Sequence, residues 1–466
     1  MARVLMCIQD VILGVPATVL ILGVGLFLTI RLGAPQVVLL PKALRLFFRR
    51  LFSSEAPEEG VSPFQALCTA VAAPVGTGNL VGVAGAICLG GPGAIFWMWV
   101  CGFVGMATKY TEVVLAVRYR VKTPEGYAGG PMYIMTRGLG AGFRPLAKAY
   151  CVFGILAAFG VGNAAQINAV VTAAEAAAGQ FGRQLSSVAV AAIGLILAVL
   201  VGVLLFDGAK RIGTAAERLV PIAAGGYMLL CVGVLLVFRG RIPAALKQIV
   251  SGAFSPRAVT GGFLGSAFQT LRVGCSRGVF TNEAGMGTAS IAHACADTAH
   301  PAEQGLMGIV EVFLDTIVIC TLTALAILVS GVGIPYGVDT GAELTVNAFS
   351  QVYGSLSGVL LAAALTLFAI ATVLGWGLYG ARCAQFLFGS GAWKGFAAAQ
   401  TAMVLLGAVL DTATVWQLSE LANGLMAVPN LICLAALASQ ACRFTKEYKK
   451  SGAAAAAGGG NYADIH

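Results

Sequence analysis

Two short stretches of this chain combine residue types that an apolar environment does not tolerate by default. One is Pro74-Val75-Gly76-Thr77-Gly78-Asn79, followed by Gly82, Gly85 and Gly90-Gly91-Pro92-Gly93. The other is Phe280-Thr281-Asn282-Glu283-Ala284-Gly285-Met286-Gly287. Paired glycines beside a proline break a continuous helix. An isolated glycine in a membrane helix reads as close packing against a neighbour. These clusters add amides, hydroxyls and a carboxylate at mid-membrane depth, where unpaired polar groups are costly. A helix unwound there presents N–H groups and a positive dipole end to a carboxylate, and its loosened carbonyls can ligate a cation. The chemistry implied is recognition of a small zwitterion or anion beside a metal ion.

The surrounding chain must carry these stretches through a bilayer. Of 466 residues, 58% are hydrophobic and only 11% charged, against roughly 25% charged in soluble domains. That is too little charge to cover a water-facing surface, which excludes a soluble enzyme, a disordered chain and a disulfide-stapled secreted domain. The net charge of +9 lies between apolar runs, where it meets lipid headgroups and sets orientation rather than binding nucleic acid. Twelve cysteines fall mostly within apolar runs without a CxxC pair, so they read as small core residues. His293, His300 and His466 supply no zinc set. No GxSxG, Walker or HExxH motif occurs, so no enzyme is indicated.

Runs near the ~20 apolar residues of a spanning helix predict an all-α polytopic membrane protein with 11 transmembrane helices. They fall at 11–30, 64–89, 93–118, 147–178, 186–206, 214–238, 258–297, 304–332, 356–388, 393–411 and 416–441. Gly90-Gly91-Pro92-Gly93 reads as a loop between two of them. With the N-terminus outside and the C-terminus inside, inner segments hold twenty Lys and Arg against six outside. The loop 238–257 holds four of those six. With the first helix set aside, the two breaks fall in helices one and six of ten, the pattern of an inverted five-plus-five repeat with its site at the repeat interface. The units are then 1–62 (first helix and basic loop), 63–238, 258–441 and a disordered tail over 442–466.

At this point the motifs resemble a known family. Pro74–Asn79, Gly90–Trp99, Gly105-Met106-Ala107-Thr108-Lys109, Gly129–Tyr133, Thr281–Gly287 and Leu374-Gly375-Trp376-Gly377 are similar to blocks of the alanine/glycine:cation symporters. The resemblance covers nearly all of residues 10–440. It implies the leucine-transporter-like fold and sodium-coupled uptake of alanine or glycine across the cytoplasmic membrane. It implies no cofactor beyond sodium as coupling ion, and no oligomeric state. Carried over residue by residue, it puts substrate on Thr77, Gly78 and Asn79. It puts sodium on the carbonyls of Ala72 and Val75 and the hydroxyl of Thr372. Relatives often show two consecutive hydroxyl residues there, and this chain has Ala371-Thr372.

Other residues carry alternative readings. Gln166, in a cluster with Asn163 and Asn168, either bonds between helices or touches substrate. Trp376 and Phe280 either pack or wall a small side-chain pocket, with Thr281 beside them. Glu283 pairs structurally, through Arg277, serves as a gate, ion ligand or proton carrier, or binds the substrate amine directly. Glu311 and Asp315 share a helix face at i, i+4 and form a second ion-site candidate. Lys109 and Glu112 read as a pair snorkelling at a cytoplasmic helix end. The mechanism expected is alternating access, a four-helix bundle rocking against a scaffold. The rivals are a channel or sensor on the same fold, a substrate such as glutamine or serine, and proton coupling.

Overall fold

A computed structural model describes residues 15–52, 60–124, 126–255, 266–338, 341–409 and 413–456. Helix α1 (Val15–Arg31) is apolar throughout and ends at Gly33 and Ala34, both with positive φ. After a one-turn helix, α2 (Leu40–Leu51) puts Ala43 and Leu46 inward and Lys42, Arg45 and Arg49 outward. Helix α3 (Pro63–Ala72) starts at a reciprocal cap. Ser62 Oγ accepts from the Gln65 N–H at 3.1 Å, and the Ser62 N–H donates to Gln65 Oε1 at 3.0 Å. The helix unwinds at Ala73–Gly76 and resumes as a π-helical stretch, Gly78–Gly82, leading into α4 (Val83–Gly90).

Gly91 turns the chain into α5 (Gly93–Tyr119), as the Gly-Pro-Gly signal indicates. A short hairpin, β1 (Val121–Thr123) and β2 (Gly126–Ala128), then leads to α6 (Arg144–Phe159). A third π-helical stretch, Gly160–Ala164, after one at Ile134–Leu139, joins α6 to α7 (Ala165–Gly179). Next come α8 (Ser187–Phe206), α9 (Ala209–Val237) and α10 (Ile242–Phe254). The latter occupies the stretch expected as a basic loop. Gly93 makes its packing possible, because a Cβ there would lie 2.1 Å from the Gly252 carbonyl carbon.

The second half begins with α11 (Ala267–Asn282) and α12 (Thr288–His293), separated by the turn at Glu283–Gly287. The start of the 258–297 run lies outside the described residues. Then follow α13 (Pro301–Val312), a π-helical stretch Phe313–Cys320, α14 (Thr321–Ser330) and α15 (Glu343–Tyr353). The chain continues as α16 (Leu356–Phe388), α17 (Ala392–Val409) and α18 (Ala413–Ala456). The charged stretch after Arg443, expected as disordered tail, is therefore helical as far as Ala456. Its residues are good helix formers, and Thr445 and Tyr448 are buried against the body, with a 2.9 Å bond between Thr445 Oγ1 and Tyr110 Oη. Residues 457–466 lie outside the described residues.

Among the described residues, eight helices are long and apolar enough to cross a membrane, and α1, α3 and the 78–90 segment are shorter apolar helices. Packing sorts them into two groups. Helix α5 packs on α11, α12 and α13, while α16 packs on α6, α7, α9 and α17. Between hydrocarbon-facing helices the driving force is close packing and hydrogen bonding rather than water exclusion. Tyr227 on α9 shows both, stacking at 6.1 Å on Phe349 and bonding Thr323 at 2.8 Å. Outward side chains such as Val188, Ile196 and Leu229 are apolar and exposed, as a lipid-facing surface requires. Ten of the eleven described cysteines are buried and all are free.

Candidate functional site

The first break meets the helix that leads into the second. A Cβ on Gly78 would lie 3.5 Å from the Thr281 Cα, so the first break runs against the last turn of α11. The π-helical stretch Gly78–Gly82 also touches the π-helical stretch Phe313–Cys320.

Asn79 ties this junction together. Its Oδ1 accepts the Gly76 N–H at 2.9 Å, closing the first break on itself. Its Nδ2 donates to Asp315 Oδ1 at 2.8 Å and to the Asp315 carbonyl at 3.2 Å. Asp315 Oδ2 accepts from Thr316 Oγ1 at 2.7 Å, and Thr316 Oγ1 accepts from Asn282 Nδ2 at 3.3 Å. Asn282 Oδ1 then accepts the Ala284 N–H at 2.9 Å. One line of buried side chains thus runs from the first break to the second. Asp315 is at its middle.

Of the other sequence-predicted residues, Thr372, Val75 and Gln166 lie at the first break. Thr372 Oγ1 donates to the Ala72 carbonyl at 3.0 Å, and a Cβ on Gly76 would lie 3.0 Å from that same hydroxyl. Val75 is buried in the unwound turn, and its N–H donates to the Val71 carbonyl at 3.0 Å. Gln166 Nε2 donates to Thr77 Oγ1 at 3.3 Å and to the Val161 carbonyl at 3.0 Å. Its Oε1 is buried with no hydrogen-bond partner, 3.8 Å from where a Gly76 Cβ would stand. Asn163, by contrast, joins helices, donating to the Gln400 carbonyl at 2.8 Å. Trp376 is fully buried and packs on Gly162 so tightly that a Cβ there would lie 2.3 Å from the ring. Phe280 is half-buried at the end of α11, and Thr281 donates back to the Arg277 carbonyl at 2.6 Å.

The second break is built differently. Glu283 adopts a left-handed conformation, φ 51°, costly for a residue with a side chain. Its Oε2 accepts from Thr288 Oγ1 at 2.7 Å, so the first residue of α12 holds it. The Gly285 and Gly287 N–H groups donate to Glu112 Oε1 at 2.9 and 3.1 Å, and Asn430 Nδ2 adds a third bond at 2.8 Å. Glu112 Oε2 is buried without a hydrogen-bond partner.

Two expectations are corrected here. Lys109 and Glu112 do not snorkel. Both are fully buried on α5, and Lys109 Nζ pairs with Glu311 Oε1 at 3.1 Å. Glu311 and Asp315 serve different networks, because the π-helical stretch starting at Phe313 turns the face between them. Glu311 Oε2 meets His293 Nε2 at 3.1 Å, while Asp315 meets Asn79. The signal available for Glu112 was a carboxylate in an apolar run; its partner lies 173 residues away.

Comparison with known proteins places the chain among transporters. The chain is 43% identical over 441 residues to the sodium/alanine symporter AgcS of Methanococcus maripaludis, covering 93% of this chain and 94% of that one. It is 38% identical over 439 residues to the probable sodium/glutamine symporter GlnT of Bacillus subtilis, covering 93% and 88%. Among solved structures, MhsT in complex with L-phenylalanine superposes with a TM-score of 0.59 at 12% identity, over 82% of this chain and 90% of that one. That likeness gives the leucine-transporter-type fold. The family profile matches residues 1–458, so the chain belongs to the sodium:alanine symporter family.

Proposed function

We propose that this transporter carries a small neutral amino acid, alanine or glycine, into the cell together with sodium by alternating access. The observation that carries the reading is the buried line Asn79–Asp315–Thr316–Asn282, which links both breaks across the repeat interface. The C-terminal, negative end of α3 at Ala72 faces a cation, joined by the Val75 carbonyl and the Thr372 hydroxyl. The first N–H groups of the resumed helix, at Thr77 and Gly78, lack intrahelical partners by construction and receive the substrate carboxylate. Gln166 Oε1, with its amide orientation fixed by two donations from Nε2, accepts from the substrate ammonium. Trp376 and Phe280, with Thr281, bound the side-chain space, and Glu283 and Asp315 act in gating or as a secondary cation site.

The chain crosses the membrane eleven times, N-terminus outside and C-terminus inside. One sodium entering down 100 mV contributes ~2.3 kcal/mol, about 50-fold accumulation before any chemical gradient. Purified protein in proteoliposomes takes up labelled alanine against its gradient when sodium is higher outside. Uptake unchanged by removing sodium, or flux that never accumulates solute, overturns the reading. Competition by glutamine and serine in the same assay ranks the substrates.

A further inference from the structure

The segment that follows α1 builds a basic pocket unconnected with the central site. Lys42, Arg45 and Arg49 stand at i, i+3 and i+7 on the exposed side of α2. With the start of α13 and the end of α18 they enclose a cavity of about 760 Å³, lined also by His300, Glu303 and Tyr448. Among the described residues the charges there do not balance. Of these, Glu303 is the one carboxylate in the lining, and Arg50 already holds it at 2.7 Å. Glu447, nearby on α18, lies 3.6 Å from Arg443. Lys42 lies over the Tyr448 ring at 3.9 Å, and Arg45 and Arg49 have no ion pair among the described residues. The positive end of α13, capped by His300, adds to the same potential. Around the basic residues the surface turns apolar, with Val37, Val38, Phe48 and Phe52 all more than half exposed.

A soluble anion has no use for that apolar rim, whereas an amphipathic helix at the end of a membrane span lies at headgroup depth. The geometry points to a binding site for the headgroup of an anionic phospholipid, its phosphate held by Arg45, Arg49 and Lys42 and its acyl chains against the exposed apolar residues of α2 and the turn before it. A separate hydrogen-bonded chain runs inward from the neighbouring residue. Arg50, next to Arg49, donates to Gln304 Oε1 at 3.4 Å. That orients Gln304 Nε2 onto His293 Nδ1 at 2.8 Å, which leaves His293 Nε2–H to donate to Glu311 Oε2 at 3.1 Å. Glu311 holds Lys109 in turn.

Native mass spectrometry of the full chain, with phosphatidylglycerol or phosphatidylcholine added in equal amounts, tests the site without requiring transport. It can therefore fail while the carrier reading stands, and the reverse. Phosphatidylglycerol is retained in preference, and the R45Q/R49Q double variant loses that retention by about tenfold or more. The R183Q/K247Q variant, altered at exposed basic residues elsewhere, keeps it. A thermal unfolding midpoint for R45Q/R49Q close to the parent separates lost binding from lost fold. Equal retention of both lipids, equal loss in both variants, or displacement of phosphatidylglycerol by millimolar inorganic phosphate overturns the proposal.

Discussion

The two breaks do the same geometric job with opposite chemistry. The first closes on itself, through a neutral amide one turn ahead, and its nearest polar neighbours are Thr372, Gln166 and Asp315. The second is closed from outside, by the Glu112 carboxylate arriving from α5 to take two of its N–H groups. A carboxylate at an unwound turn is what a zwitterionic substrate would bring to the first break. At the second break the protein supplies that anion itself. On the proposed reading, fold symmetry need not give two equivalent sites: one turn is left to the cargo, and the other is saturated by the chain.

The sharpest way to break this comparison is Asn79→Ala. Alanine uptake in proteoliposomes falls at least about 100-fold, while the protein stays folded and monodisperse; uptake near the parent level removes Asn79 from the site. Glu112→Ala leaves three donors unpaired in the dry interior, at ~1–3 kcal/mol each. It lowers stability by roughly 3 kcal/mol or more, read as a shift of the denaturation midpoint. Glu112→Gln keeps an acceptor oxygen and costs less, and equal effects of the two would show that the carboxylate does not close the turn. Thr372→Ala raises the sodium concentration for half-maximal uptake about tenfold, restored by Thr372→Ser, because one hydroxyl is lost from a cation set of few oxygens. Sodium dependence unaltered in Thr372→Ala would move the ion elsewhere.

The smallest effect separates the breaks by their glycines. A Cβ on Gly78 meets Thr281 at an ordinary 3.5 Å, so Gly78→Ala folds normally and raises the alanine KM only about threefold. Gly287 has φ +79°, and a Cβ there would lie 2.4 Å from Pro131, so Gly287→Ala lowers the yield of folded protein. A folded, active Gly287→Ala alongside a misfolded Gly78→Ala would invert the assignment of which turn is rigid.

Much of this architecture was legible in the chain. The breaks announce themselves because glycine, proline and amides are concentrated where an apolar helix would otherwise run on. What could not be read is where long-range partners lie. Lys109 and Glu112, three residues apart, looked like a surface pair, yet each is buried against a different partner in the other half of the chain. Helix α10 hid in a stretch whose basic residues suggested a loop, and the end of α18 hid in a charged, alanine-rich segment. Of the π-helical stretches, Phe313–Cys320 left no mark, whereas Gly78–Gly82 falls inside the glycine-rich break that the sequence announces.

Those stretches have a consequence of their own. Each wider turn accommodates surplus residues without opening a loop, and one surplus residue rotates everything beyond it by roughly 100°. Three of them, at Gly78–Gly82, Gly160–Ala164 and Phe313–Cys320, lie in the segments that carry Asn79, Gln166 and Asp315 or directly adjoin them. Deleting one residue from such a stretch would relax it to an ordinary helix and swing its polar group out of register, with every lipid-facing surface upstream left as it was. A carrier of this build can thus acquire or discard a binding residue by changing chain length rather than residue type.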